Sequence, residues 1–141
     1  MEDRMIALFS GRFDPVHIGH IIQIMRLGQR FDKVIVPVLD YREQKYPVDY
    51  RVQILKEALG FAKGNYEVFA NEHHFGTIKT DEVKEYIDGY GTFIYVSQNI
   101  ACIKNMSDMG YFVEYVDRAY DNSGTGDFII KQIKNLVKDN D

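Results

Sequence analysis

Two histidines three residues apart, His17 and His20, with Gly19 between them, follow a short apolar run from Met5 to Phe9. They open a stretch whose apolar residues return at Ile18, Ile21, Ile22 and Met25. The run suits a buried strand. The i, i+3, i+4, i+7 spacing suits a helix packed on one face, and Gly11 with Pro15 supplies the turn between them. Near the first turn of that helix His17 and His20 share one side. There the unpaired backbone N–H groups and the positive end of the helix dipole favour anions, and the imidazoles can add donors. Gly19 lets a bulky anion approach the backbone. Together these residues could hold a polyphosphate. A lone histidine at a helix start is more often a cap or a solvated side chain. Two around a glycine, in a strand-turn-helix setting, favour the phosphate site.

Two further segments carry candidate anion contacts. In the first, Tyr46 to Leu55, Asp49 can cap a helix and Pro47 fits the chain before it. Arg51 then places a cation at the positive helix end, which is unfavourable unless an anion compensates. It is therefore read as facing phosphate, against the plainer reading of an exposed arginine paired with Asp49 or Glu57. Arg42 and Lys45, in the preceding loop, read as solvated surface. The second segment, Arg118 to Gly126, sets hydroxyls and small residues before a closing helix, where Ser123, Thr125 and the backbone could donate to an anion; an ordinary cap is the plainer reading. Asp14 has two readings, as a direct metal ligand or as a carboxylate bracing the turn by accepting backbone N–H bonds, the second favoured. Cys102 is the single cysteine, which excludes an intramolecular disulfide and a cysteine-built zinc site and reads as a small buried hydrophobe. His73-His74 point in divergent directions and lack a completing ligand set, so they read as a loop near the strand ends rather than a metal site.

The elements that must position these residues alternate. Val34-Ile35-Val36 with Val38 reads as a second strand, and Val52, Leu55 and Leu59 mark a helix beginning near Asp49. Tyr66 to Ala70 reads as a third strand, Asp81 to Ile87 as a short helix, Phe93 to Val96 as a fourth strand and Phe112 to Val116 as a fifth. Ile129, Ile130, Ile133, Leu136 and Val137 form one face of the closing helix. Strands alternating with helices imply an α/β fold: a Rossmann-like three-layer sandwich with a mainly parallel five-stranded sheet. Ligands of such sheets bind beyond the carboxyl ends of the strands, where the histidine turn falls.

The 141 residues, 45% hydrophobic, suffice for one domain over 1–141. Lys and Arg number 17 against 21 Asp and Glu, a net charge of -4. That balance excludes a global basic surface for nucleic acid or an anionic membrane. Met1-Glu2-Asp3-Arg4 does not open like a signal peptide, and no apolar run is long enough to span a bilayer, so a cytoplasmic protein is expected.

The stretch Gly11 to His20, G-x-F-D-P-x-H-x-G-H, resembles the H-x-G-H signature of the nucleotidyltransferase superfamily. Members have a Rossmann-like parallel sheet and join a nucleoside triphosphate to a phosphorylated acceptor, releasing pyrophosphate, usually with Mg²⁺. The resemblance implies that His17 and His20 are catalytic contacts to the triphosphate, without a covalent adduct. Ser10, Gly11, Arg12, Phe13, Asp14 and Gly19 would line the phosphate turn. Pro47, Arg51 and Leu55 are similar to the P-x-x-x-R-x-x-x-L segment of nicotinamide and nicotinate mononucleotide adenylyltransferases. Arg118, Ser123 and Thr125 match the spacing of the superfamily's second signature, R-x-x-x-I-S-S/T-T-x-I-R/K. Gly124, Asp127 and Phe128 depart from it, and Val96-Ser97-Gln98-Asn99 stands where many relatives have Gly-x-Asp. The implied reaction is adenylyl transfer from ATP to an acceptor such as nicotinamide or nicotinate mononucleotide. The alternatives are CTP with a phosphorylated alcohol, or a nucleotide-binding or sensor domain without catalysis. Neither nucleic acid nor membrane is an expected partner, and relatives are often homo-oligomers.

Overall fold

The computed structural model describes residues 5–41, 43–87 and 92–116. Arg42, the 118–126 segment with Arg118, Ser123 and Thr125, and the expected closing helix lie outside the described residues. Five strands, β1 (Ile6–Phe9), β2 (Lys33–Leu39), β3 (Tyr66–Asn71), β4 (Phe93–Ser97) and β5 (Phe112–Tyr115), form a sheet in the order β3-β2-β1-β4-β5. Every pairing between them is parallel. The connecting helices are α1 (Ile18–Arg30), α2 (Val48–Leu59), α3 (Thr80–Ile87) and α4 (Ile100–Asp108).

Parallel strands need crossover connections, and crossovers cover both faces of the sheet. The period-two alternation of β1 shows the result. Ala7 and Phe9 pack with Ile24 and Leu27 of α1 and Leu55 and Leu59 of α2. Ile6 and Leu8 join Val83 of α3 and Cys102 and Met106 of α4 on the other face. This is the expected three-layer α/β architecture, and each fully buried aliphatic side chain contributes about 1.5–3 kcal/mol to it. Cys102 is buried and free of disulfide, as expected of a small hydrophobe. No helix among the described residues is long and apolar enough to cross a membrane.

The order β3-β2-β1-β4-β5 decides where a ligand can enter. From β1 the chain builds outward through β2 to β3, then returns over the opposite face to β4. The connections leaving β1 and β4 diverge at their carboxyl ends, which opens a crevice there. Phe9 pairs with Val96 in that register, so Ser10 and Ser97 stand at its lip.

Three local readings are corrected. The apolar stripe of α1 centres on Ile24 and Leu27, with Ile21 and Met25 beside them. Ile18 is exposed, because the first turn lies at the strand ends, past the apolar face of the sheet. Helix α2 starts at Val48 behind Pro47, with no side-chain cap; Asp49 sits exposed inside its first turn. Helix α4 was not expected from the sequence: Asn99 caps it, its Oδ1 accepting from Ala101 N at 2.9 Å and Cys102 N at 3.3 Å.

Candidate functional site

The turn after β1 is built by backbone first. Gly11 donates its N–H to the carbonyl of Pro37 at 3.3 Å and accepts from Leu39 N at 2.9 Å, which carries the sheet pairing one step past the strand. A Cβ on Gly11 would lie 2.9 Å from the Phe13 ring, so only glycine lets that ring fold onto the backbone. Phe13 itself adopts φ 51, the left-handed region that non-glycine residues seldom occupy, and its side chain is buried. Its ring meets His20 edge-on, centroids 4.8 Å apart at 86°. Beneath the turn, the Ser10 hydroxyl is 2.5 Å from Oη of Tyr95 on β4, a bond across the crevice.

His17 is the N-cap of α1 and His20 its third residue, and the two cap each other. His20 N donates to Nδ1 of His17 at 3.4 Å, and His17 N donates to Nδ1 of His20 at 3.2 Å. The rings stack with centroids 3.5 Å apart at 22°. A backbone N–H can only donate, so both Nδ1 atoms are acceptors. Each neutral ring therefore carries its proton on Nε2. The arrangement sets two imidazoles at a helix N-terminus, with Gly19 buried between them, a setting that suits an anion.

Asp14 accepts backbone N–H bonds, as the second of its two readings has it, but from the loop before α2 rather than from its own turn. Its carboxylate oxygens accept from Lys45 N at 2.7 Å and Tyr46 N at 2.9 Å. Arg51 corrects the sequence reading, which had it facing phosphate or solvated. It is 1% exposed, and its guanidinium donates to the carbonyls of Tyr46, Arg12 and Leu39 and to Oε1 of Gln44, with Asp14 4.0 Å away. Burial pulls its pKa below the ordinary arginine value, while Asp14 and Asp40 push it up. Arg12 keeps its side chain at the surface, 4.6 Å over the Tyr41 ring, and donates to the Glu43 carbonyl at 3.1 Å. With Asp14, Glu43, Gln44 and Lys45 it lines an open cleft of about 480 Å³.

Among the described residues no group of three or more His, Cys, Asp or Glu could hold a metal ion, and both Asp14 oxygens are already engaged by backbone N–H groups. His73 and His74 follow β3 and diverge as expected. His73 Nδ1 lies 2.7 Å from Glu82, whereas His74 Nδ1 accepts from Gly76 N at 2.9 Å. The sequence reading missed Tyr95, which is fully buried beneath Ser10; burial drives its phenol pKa far up. It also missed the inward course of Arg51. Its signal was the spacing of four that sets Arg51, Leu55 and Leu59 on one stripe.

The chain matches the family model described as cytidylyltransferase-like over residues 8–121. Over 70 residues it is 39% identical to the phosphopantetheine adenylyltransferase of Lactococcus lactis subsp. cremoris (strain MG1363), a match covering 48% of this chain and 42% of that protein. The phosphopantetheine adenylyltransferase of Bordetella pertussis (strain Tohama I) is 36% identical over 83 residues, 57% of this chain and 46% of its own. The match therefore spans less than half the length of either relative. Among solved structures, a bifunctional NMN adenylyltransferase/ADP ribose pyrophosphatase from Francisella tularensis, complexed with AMP and a Mn ion, superposes with a TM-score of 0.68. It is 20% identical, with 91% of this chain and 41% of that one covered. That likeness carries the fold. The family-model match runs from β1 through the histidine turn and past β5, so the chain belongs to the cytidylyltransferase-like family.

Proposed function

We propose that this chain is a nucleotidyltransferase that binds ATP as its Mg²⁺ complex at the His17/His20 turn. It transfers the adenylyl group to a phosphorylated small-molecule acceptor. The observation that carries this reading is the reciprocal cap of His17 and His20 at the carboxyl end of β1, beside the divergence of β1 and β4. An acceptor phosphate oxygen attacks the α-phosphorus in line with the departing pyrophosphate. One P–O bond forms as one breaks, and the electron pair leaves on pyrophosphate. The two Nε2–H donors and the N-terminus of α1 hold the phosphates and stabilise charge growing on the leaving group. Metal would enter with the substrate on its phosphate oxygens and supply charge neutralisation there. The adenylyltransferase names of the sequence relatives support ATP over CTP. They also add phosphopantetheine to nicotinamide and nicotinate mononucleotide as acceptors. Arg118, Ser123 and Thr125 belong to the reading as further phosphate contacts, and a cytoplasmic, homo-oligomeric enzyme fits it.

The test is Mg²⁺-dependent pyrophosphate release with ATP or CTP against these three acceptors. Release with one pair, lowered roughly 10²–10³-fold in kcat by His17→Ala or His20→Ala, is expected, the scale for losing a preorganised donor. A histidine variant that keeps most of its turnover removes the assignment. Tight ATP binding without release makes the chain a nucleotide-binding domain.

A further inference from the structure

Arg51 and Asp14 are charges in a place where charge is costly. Their side chains are 1% and 4% exposed, and desolvating such a pair costs several kcal/mol that mutual attraction seldom returns in full. Hydrophobic residues would fill the same space at least as well, so stability alone is a poor reason for them. Their bonds suggest another. Arg51 holds the carbonyl of Arg12 in the phosphate turn, the carbonyl of Leu39 at the end of β2, and both Tyr46 O and Gln44 Oε1 in the loop before α2. Asp14, from the phosphate turn, holds the backbone N–H groups of Lys45 and Tyr46 in that same loop. The turn and the loop are the two walls of the cleft lined by Arg12, Asp14, Glu43, Gln44 and Lys45.

We propose that Arg51 and Asp14 are a positioning pair that locks the 43–46 loop onto the phosphate turn, so that the two walls of the cleft keep one spacing. Apart from Gln44 Oε1, the pair holds backbone atoms, and it acts on a substrate through the residues it holds. For catalysis the inference rests on the function proposed above. Two substrates held across the cleft react from one geometry, and a displacement of about 1 Å costs on the order of 10²-fold in rate. Lysine cannot replace the arginine, because an ammonium has no planar fork to span carbonyls from three segments.

The experiment measures amide hydrogen exchange in the full chain and its Arg51→Lys and Asp14→Asn variants, with the β2 amides of Val36 and Val38 as internal references. In Arg51→Lys the references should hold within about two-fold, while the Lys45 and Tyr46 amides, bonded to Asp14 and not to Arg51, exchange at least about tenfold faster. In Asp14→Asn the Arg51 Nε–H should lose its slow exchange in turn. With the substrates of the proposed reaction, either variant should lower kcat by roughly 10²-fold, more than it raises either KM, and the double variant should be no worse than the single ones. Lys45 and Tyr46 amides as protected as in the parent, over intact β2 references, overturn the pair, as do additive single effects. If Arg51→Lys loses β2 protection, the Asp14→Asn arm decides by the same criterion at Arg51 Nε–H. Exchange needs no turnover. A chain that releases no pyrophosphate yet shows this reciprocal loosening overturns the functional reading and leaves the positioning pair standing.

Discussion

At the scale of single residues, the site depends on contacts too short to tolerate added atoms. Gly11 has the Phe13 ring where its Cβ would be, and that ring in turn stands edge-on to His20. Gly11→Ala must therefore push Phe13 out of its buried, left-handed position. A loss of about 1–3 kcal/mol is expected, as for other overpacked sites, together with weakened nucleotide binding. A urea midpoint and an ATP titration check the two effects; an unchanged midpoint would show that Phe13 moves aside without cost. The spacing of His17 and His20 was legible in the sequence, because their mutual cap joins residues three apart; that Asp14 accepts backbone N–H bonds was legible as a kind of contact, but its donors Lys45 and Tyr46 lie 31 and 32 residues along the chain. The burial of Arg51 was not legible. Its partners Arg12 and Leu39 lie 39 and 12 residues away along the chain, and local charge reasoning sees only Asp49 and Glu57.

At the scale of elements, α1 is tied at both ends. Its N-terminus is the reciprocal histidine cap, and Arg30 in its last turn makes a two-pronged pair with Glu114 of β5, at 2.8 and 2.9 Å. The Arg30 hydrogen bond holds the Glu114 carboxyl below the usual carboxylate range. A depressed carboxylate pKa means that the contribution is present above the unfolded value and is lost as pH falls through the folded one. Both side chains are well exposed, so solvent screening limits the pair to about 0.5–1 kcal/mol. Glu114→Gln should thus lower stability by that amount at neutral pH, and the difference should vanish in acid below the ordinary glutamate range. Denaturant melts at pH 7 and near pH 3 test this; a difference that persists in acid would assign the effect to packing. Helix α4 depends more on its cap. Asn99→Ala should cost about 1 kcal/mol in the same melts. Its nine residues have few apolar repeats, too short a pattern to stand out from a strand end and loop, and for that reason the sequence reading passed over it.

At the scale of the whole molecule, the Ser10–Tyr95 bond joins the two strands from which the connections diverge, and so it holds the floor of the site. Ser10→Ala and Tyr95→Phe should each cost about 1 kcal/mol. The double variant should cost less than their sum, since the bond is lost only once. Burial raises the Tyr95 pKa, so its contribution is complete below the ordinary tyrosine value and declines as pH rises past it. Tyr95→Phe should accordingly flatten the alkaline limb of the stability profile, and a limb as steep as the parent's would place that titration elsewhere. The sequence by itself determined the five strands, the helices between them except α4, the parallel sheet and the histidine turn. These follow from periodicity and from contacts within a few residues, where the chain has little conformational choice. Only the tertiary structure decided the strand order, the pairing of Ser10 with Tyr95 and the inward course of Arg51. Each joins segments far apart in the chain, and a partner brought close by packing leaves no trace in local spacing.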